Sequence, residues 1–298
     1  MALETIPTID LTDPDAASLV RRACTEWGFF YVTSHGVPSE TVRRTYEMSR
    51  RFFALTEAEK RTVLVNDKSR GFTPMCEETL DPAIQKGGDT KEGFYIGREP
   101  SASEIASHSH PLLGGNRWPD EDRFGSLVGW RVQMQSYFAE MSRLGHSLLR
   151  LVAMALDLEA DYFLPFFDRS MEVLRLLHYS DTVSDPDAGI FGAGAHSDYG
   201  MLTILSTDSS PGLEVYRHDL KRWFPVPPLD GAFVINLGDM LQVRQLITPL
   251  QANTRSSLIY TRATPTTTAT STRTQARARA HTHSNRLPRG IALALPHI

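Results

Sequence analysis

Between residues 127 and 158 apolar side chains return every third or fourth position: Leu127, Trp130, Met134, Tyr137, Met141, Leu144, Leu148 and Val152. That repeat belongs to a helix with one buried stripe, so the spacing predicts a single long helix over 127–158. Shorter helical repeats come earlier. Leu19, Val20, Ala23 and Trp27 form one, stopped by Gly28; Val42, Tyr46, Ser49, Phe52 and Phe53 form another, opened by Ser39; Leu55-Thr-Glu-Ala-Glu-Lys60 begins a third with a capping residue. Compact β-branched or aromatic runs at 6–11 and 29–32 read as short strands. From Val173 onward the period falls to two. Strands are predicted over 173–179, 201–205 and 232–237, with 213–216 and 223–226 forming a hairpin over a polar tip at 217–222. The segment 66–119 is rich in glycine and proline and is interrupted by a strand at 91–97. Helices gathered in the first half and short strands in the second give an α+β chain whose core is an antiparallel double-sheet jelly roll.

This pattern stops at Gln242. The stretch 264–283 is a low-complexity run of Thr, Ala and Arg with neither strand nor helix periodicity. Three regions follow: 1–120, 121–242 and 243–298, the last a basic tail, disordered or mis-translated. Since the change falls inside a domain, out-of-frame or non-coding sequence is the favoured origin and a genuine disordered tail the alternative. The terminal strands of the jelly roll are expected to be missing.

Charge sharpens the contrast. The chain has 298 residues and a formal net charge of −4. Residues 243–298 hold eight Arg and no Asp, Glu or Lys, so the tail is +8 and the body −12. An acidic body argues against nucleic acid as partner. No apolar run reaches the length of a membrane span, and the first residues lack the basic and apolar regions of a signal peptide. Two cysteines, Cys24 and Cys76, give neither a disulfide framework nor metal spacing. A cytoplasmic monomer is expected.

The candidate chemistry sits at His196 and Asp198. Two residues apart on a strand or its turn, the imidazole and the carboxylate can converge on one point. Without a thiolate they suit a borderline-to-hard divalent ion such as iron(II). By itself His-x-Asp is also compatible with a loop histidine beside a solvated aspartate. Several other histidines read as structural: His35 bonds backbone in a turn, His108 and His110 lie in a serine-rich loop, and His218 is exposed at the hairpin tip. His178 is left structural beside Tyr179.

The flanking blocks resemble the non-haem iron(II), 2-oxoglutarate-dependent oxygenases that include isopenicillin N synthase and the plant flavonoid and hormone oxygenases. They are Ile-Pro-Thr-Ile-Asp-Leu at 6–11, Trp-Gly-Phe-Phe-Tyr-Val-Thr-Ser-His-Gly-Val-Pro at 27–38, Lys-Glu-Gly-Phe-Tyr-Ile-Gly at 91–97, Leu-Arg-Leu-Leu-His-Tyr at 174–179, Ala-His-Ser-Asp-Tyr-Gly-Met-Leu-Thr-Ile-Leu at 195–205, and Val-Ile-Asn-Leu-Gly-Asp-Met-Leu at 234–241. They keep the family's order up to about Gln242. The resemblance implies a double-stranded β-helix, an N-terminal dioxygenase region over 1–120, a truncated oxygenase core over 121–242, and His196 and Asp198 as metal ligands. It also implies Tyr179 as a hydrogen-bond partner of 2-oxoglutarate, with O2 as second co-substrate and no catalytic residue beyond the ligands. Leu177 stands where many members have asparagine.

The second ligand histidine and the Arg-x-Ser that grips the far carboxylate of 2-oxoglutarate are absent from their expected places. Arg255-Ser256-Ser257 precedes any candidate histidine, and His281 and His283 lie in the low-complexity tract. The expectation is an oxygenase of a small organic molecule, by hydroxylation, desaturation or ring closure, impaired in this chain. The alternatives are an inactive relative that binds a ligand or partner, and an oxidase of the isopenicillin N synthase type that does not use 2-oxoglutarate.

Overall fold

A computed structural model describes residues 5–107, 111–168, 170–198, 200–243, 259–261 and 291–296. The expectations for His108, His110, Arg255-Ser256-Ser257, His281 and His283 lie outside the described residues.

The strands are β1 (Thr8–Asp10), β2 (Phe29–Thr33), β3 (Gly71–Thr73), β4 (Lys91–Gly97), β5 (Val173–Tyr179), β6 (Ala193–His196), β7 (Leu202–Thr207), β8 (Leu213–Arg217), β9 (Arg222–Pro225), β10 (Phe233–Leu237), β11 (Ile259–Thr261) and β12 (Ile291–Pro296). They form two sheets: eight strands in the order β1-β2-β10-β7-β12-β5-β4-β3, and four in the order β6-β11-β8-β9. Among the described residues the pairings between these strands are antiparallel except β1 with β2.

The larger sheet is coated on one face by helices. The long helix is α5 (Trp130–Ala155), and α1 (Ala16–Glu26) and α2 (Ser39–Phe53) lie against it. All eight stripe residues from Leu127 to Val152 are buried, as their spacing requires. Phe52 is the hub of this layer, with ring centroids 4.8 Å from Phe94, 5.6 Å from Trp130 and 5.9 Å from Phe72. The short helix α3 (Glu57–Lys60) starts on a Thr56–Glu59 capping box, the capped start expected there. Inside the loop-rich segment, β3 and α4 (Ala102–Ser107) are elements that its glycines and prolines concealed.

The opposite face of the sheet meets β8 and β9 across a second core of Tyr31, Leu177, Leu205, Val234, Val215 and Phe224. Alternation along β4 and β5 divides the two cores. Phe94, Ile96, Leu174 and Leu176 fill the helix-side core; Leu177 and Tyr179 face between the sheets. His178 points the other way, as expected if Tyr179 points inward. Its Nδ1 is 2.7 Å from Glu92 Oε1, and its ring stacks on Phe53. His35 makes the backbone contacts expected of a turn histidine: its Nε2 is 3.2 Å from the Gly231 carbonyl and its Nδ1 accepts from Val37 N–H.

The expectation of missing terminal strands is corrected at two places. β12 pairs with both β5 and β7 in the middle of the large sheet, and β11 pairs with both β6 and β8 in the small one. The sequence Ile-Ala-Leu-Ala-Leu-Pro of β12 supplies an apolar run without a charge, the composition of a strand flanked on both sides. The neighbouring repetitive tract hid it. No helix among the described residues is long and apolar enough to cross a membrane.

Candidate metal centre

β6 stops at His196, and Asp198 lies in the turn beyond it. Hydrogen bonds around the turn hold the two side chains in place. His196 Nδ1 lies 2.8 Å from the Gly194 carbonyl. A carbonyl only accepts, so Nδ1 carries a proton, and in the neutral ring that leaves the lone pair on Nε2. Gly194 is held in turn, its N–H donating to Asp89 Oδ1 at 2.9 Å. Asp89 is fully buried and also receives Gln85 Nε2 at 2.7 Å and the Lys91 ammonium. A Cβ at position 194 would stand 2.8 Å from the backbone nitrogen of Asp81 as well as 2.4 Å from Gln85 Oε1, so a larger residue is crowded out beneath this loop.

Asp198 is fixed from the strands behind it. Its Oδ2 accepts from Thr203 Oγ1 of β7 at 2.6 Å and from Asn236 Nδ2 of β10 at 2.9 Å. Its backbone carbonyl accepts from Asp239 N–H at 2.7 Å. The other oxygen, Oδ1, lies 3.8 Å from His196 Nε2. That gap is too wide for a hydrogen bond. It does suit two donors sharing one ion, because contacts of about 2.1 Å each span up to about 4.2 Å. Partner groups hold Nδ1 and Oδ2, which orients the donors through the neighbouring atoms. On donor chemistry and spacing, the pair fits a divalent ion.

Gly238 closes the turn. A Cβ there would stand 1.9 Å from the Gly200 carbonyl oxygen and 2.9 Å from that of Asp198, both backbone atoms that cannot swing aside. Gly238→Ala is expected to destabilise the protein by about 1–3 kcal/mol through overpacking. Thermal unfolding followed by circular dichroism would measure it; an unchanged midpoint would show that the turn yields freely.

Among the described residues no third His, Cys, Asp or Glu joins the pair. His218 is half-buried against Tyr216, with ring centroids 4.9 Å apart, and is not the exposed tip residue expected. On β11, which neighbours the histidine-bearing strand, Ile259 is paired with His196 and Thr261 with Ala193, an irregular step at the site's edge.

Asp89, Thr203 and Asn236 were not singled out from sequence. Asn236 left a trace, a lone amide inside an apolar strand that must find a partner when buried. Asp89 left none, because its contact with Gly194 crosses the fold.

Comparison with known proteins agrees with this architecture. Residues 6–121 match the model of the "non-haem dioxygenase in morphine synthesis N-terminal" region, and residues 171–273 match the 2OG-Fe(II) oxygenase superfamily, running past Gln242. Azadirone synthase of Melia azedarach is 32% identical over 252 residues, covering 82% of this chain and 74% of that protein. The 2-oxoglutarate-dependent dioxygenase caaD of Aspergillus niger is 35% identical over 251 residues, covering 80% and 74%. Among solved structures, a full-length Neurospora crassa protein in complex with alpha-KG superimposes with a TM-score of 0.76 at 24% identity, over 98% of this chain and 84% of that one. With both halves of the chain matched in order, and relatives sharing a third of their residues over four-fifths of its length, the chain belongs to the 2OG-Fe(II) oxygenase superfamily, a family of 2-oxoglutarate-dependent dioxygenases.

Proposed function

We propose that this chain is an iron(II)- and 2-oxoglutarate-dependent oxygenase of a small organic molecule in which the metal set is incomplete, so that iron is held weakly and turnover is low. The observation that carries the reading is the approach of His196 Nε2 and Asp198 Oδ1 to 3.8 Å, a spacing that two ligands of one ion can have. Iron(II) bound there would couple oxidative decarboxylation of 2-oxoglutarate by O2 to oxidation of the substrate. The protein's part is positional. Gly194 and Asp89 set the imidazole, Thr203 and Asn236 set the carboxylate, and Asp198 offsets part of the cation's charge. Tyr179, on the inter-sheet face of β5 and paired with Lys91, would hold 2-oxoglutarate. Leu177, Leu205 and Val234 belong to the apolar layer against which Tyr179 packs.

The test is succinate release from 2-oxoglutarate by the full-length chain with added iron(II) under air, beside a His196→Ala control. The expected result is release close to the control. Succinate well above it would overturn the impairment while supporting His196 as a ligand. Equal iron uptake by the two proteins would overturn the metal assignment itself.

A further inference from the structure

The strand that ends in His196 is an edge: in the order β6-β11-β8-β9, β6 has a strand neighbour on one side only among the described residues. The loop before β4 meets its other side and the chain leading into it. Lys86 N–H donates to the Gly189 carbonyl at 3.2 Å, Thr90 N–H to the Phe191 carbonyl at 2.9 Å, and Gly194 N–H to Asp89 Oδ1 at 2.9 Å. The first two contacts run from backbone to backbone, as in a sheet. At Gly194, two residues before the histidine, a carboxylate takes the place of a carbonyl.

Asp89 is a junction of donors. Its Oδ1 accepts from Gln85 Nε2 at 2.7 Å as well as from Gly194 N–H, and its Oδ2 accepts from the Lys91 ammonium. These donors outnumber the two lone pairs of one carbonyl oxygen, so a carboxylate is the group that can gather them. The place of the carboxylate is set by backbone bonds on both sides of it. Asp89 N–H donates to the Glu78 carbonyl at 2.7 Å, and Lys91 N–H donates to the Asp89 carbonyl at 2.7 Å. Gln85 is fixed as well, its Oε1 accepting from Asp81 N–H at 2.6 Å. Asp89 and Lys91 are buried, at 0% and 3% exposure. Desolvating such a pair is costly, and an edge N–H needs no more than a neutral acceptor. The residue held at that cost is the one whose carbonyl takes the Nδ1–H of His196.

We propose that Asp89, with Lys91 as its counter-ion, is a positioning residue for the metal: it pins the edge strand at Gly194 and so fixes where His196 Nε2 points. This rests on the reading of His196 as a ligand and deepens it. The direction of the imidazole is then set from the start of β4, where Lys91 lies opposite Tyr179. Asp89 is not itself a ligand and acts only through Gly194.

The experiment titrates cobalt(II) into the full-length chain and two double variants, reading affinity and visible absorption, with circular dichroism as the check on folding. Asp89→Asn with Lys91→Met and Asp89→Leu with Lys91→Met each remove both charges together, so neither is left stranded. They differ in what position 89 offers. An asparagine oxygen can still accept from Gly194 and Gln85, whereas leucine, of nearly the same shape, accepts from neither. The leucine form is expected to bind cobalt(II) about tenfold more weakly, the lower end of the effect of groups that orient a metal ligand, and with an altered spectrum. The asparagine form is expected to keep the natural affinity and spectrum. Should the leucine form not fold, Asp89→Ala with Lys91→Met carries the same expectation, since water in the vacated space would not hold the strand in place. Natural affinity and spectrum in a folded leucine or alanine form would overturn the proposal, because a merely structural role would lower the melting midpoint and leave both untouched. An asparagine form as weak as the leucine form would overturn it too, by showing that the bond to Gly194 is not what counts. A natural chain that binds cobalt(II) no more tightly than His196→Ala would overturn the ligand reading instead, and the positioning role with it.

Discussion

Ile259→His is expected to tighten binding of a divalent ion by roughly tenfold or more, an order set by the 10–100-fold effects of the partners that merely orient a metal ligand. Position 259 is paired with His196 across β6 and β11. Directly opposite positions have Cβ atoms about 4.5–5.5 Å apart on one face, within an imidazole's reach of a shared ion. The natural isoleucine brings no lone pair to that position. Titration with cobalt(II), followed by its visible absorption, would give the affinity of each protein. An unchanged affinity, with the fold intact by circular dichroism, would mean that β11 does not present position 259 to the site.

The opposite change should be larger. His196→Ala removes one of two donors and leaves Asp198 Oδ1 alone, so cobalt(II) affinity is expected to fall by at least roughly 100-fold, beyond the loss of an orienting partner. Little loss of fold should accompany it. The imidazole is part-buried, with 22% of its side chain exposed, and its hydrogen bond is to the carbonyl of Gly194 on its own strand. Asp198→Ala would be a poorer probe, because Thr203 and Asn236 both bond that carboxylate and would lose a partner. Cobalt uptake by the His196 variant equal to that of the natural chain would remove the metal reading.

The sequence announces the helices and most strands because each declares itself through a local period. The stripe from Leu127 to Val152 could only be a helix, and 91–97 and 173–179 became strands with the expected bounds. His196 and Asp198 were legible for the same reason, being neighbours in the chain. What surrounds them was not. Asp89 reaches Gly194 across more than a hundred residues of chain, and Asn236 reaches Asp198 from another strand. No one-dimensional spacing encodes such contacts. The tail misled in the other direction: its repetitive composition drew attention from two short strands whose places are defined by the edges they meet.

The site of β12 has a consequence for how the molecule is assembled. β5 and β7 do not pair with each other in the larger sheet; β12 lies between them, bonded to both. The central wall must therefore wait for a segment synthesised long after its two neighbours, a non-local closure of the kind that slows folding. Until that segment arrives, two apolar strands present open hydrogen-bonding rows, the condition under which nascent chains adhere to one another.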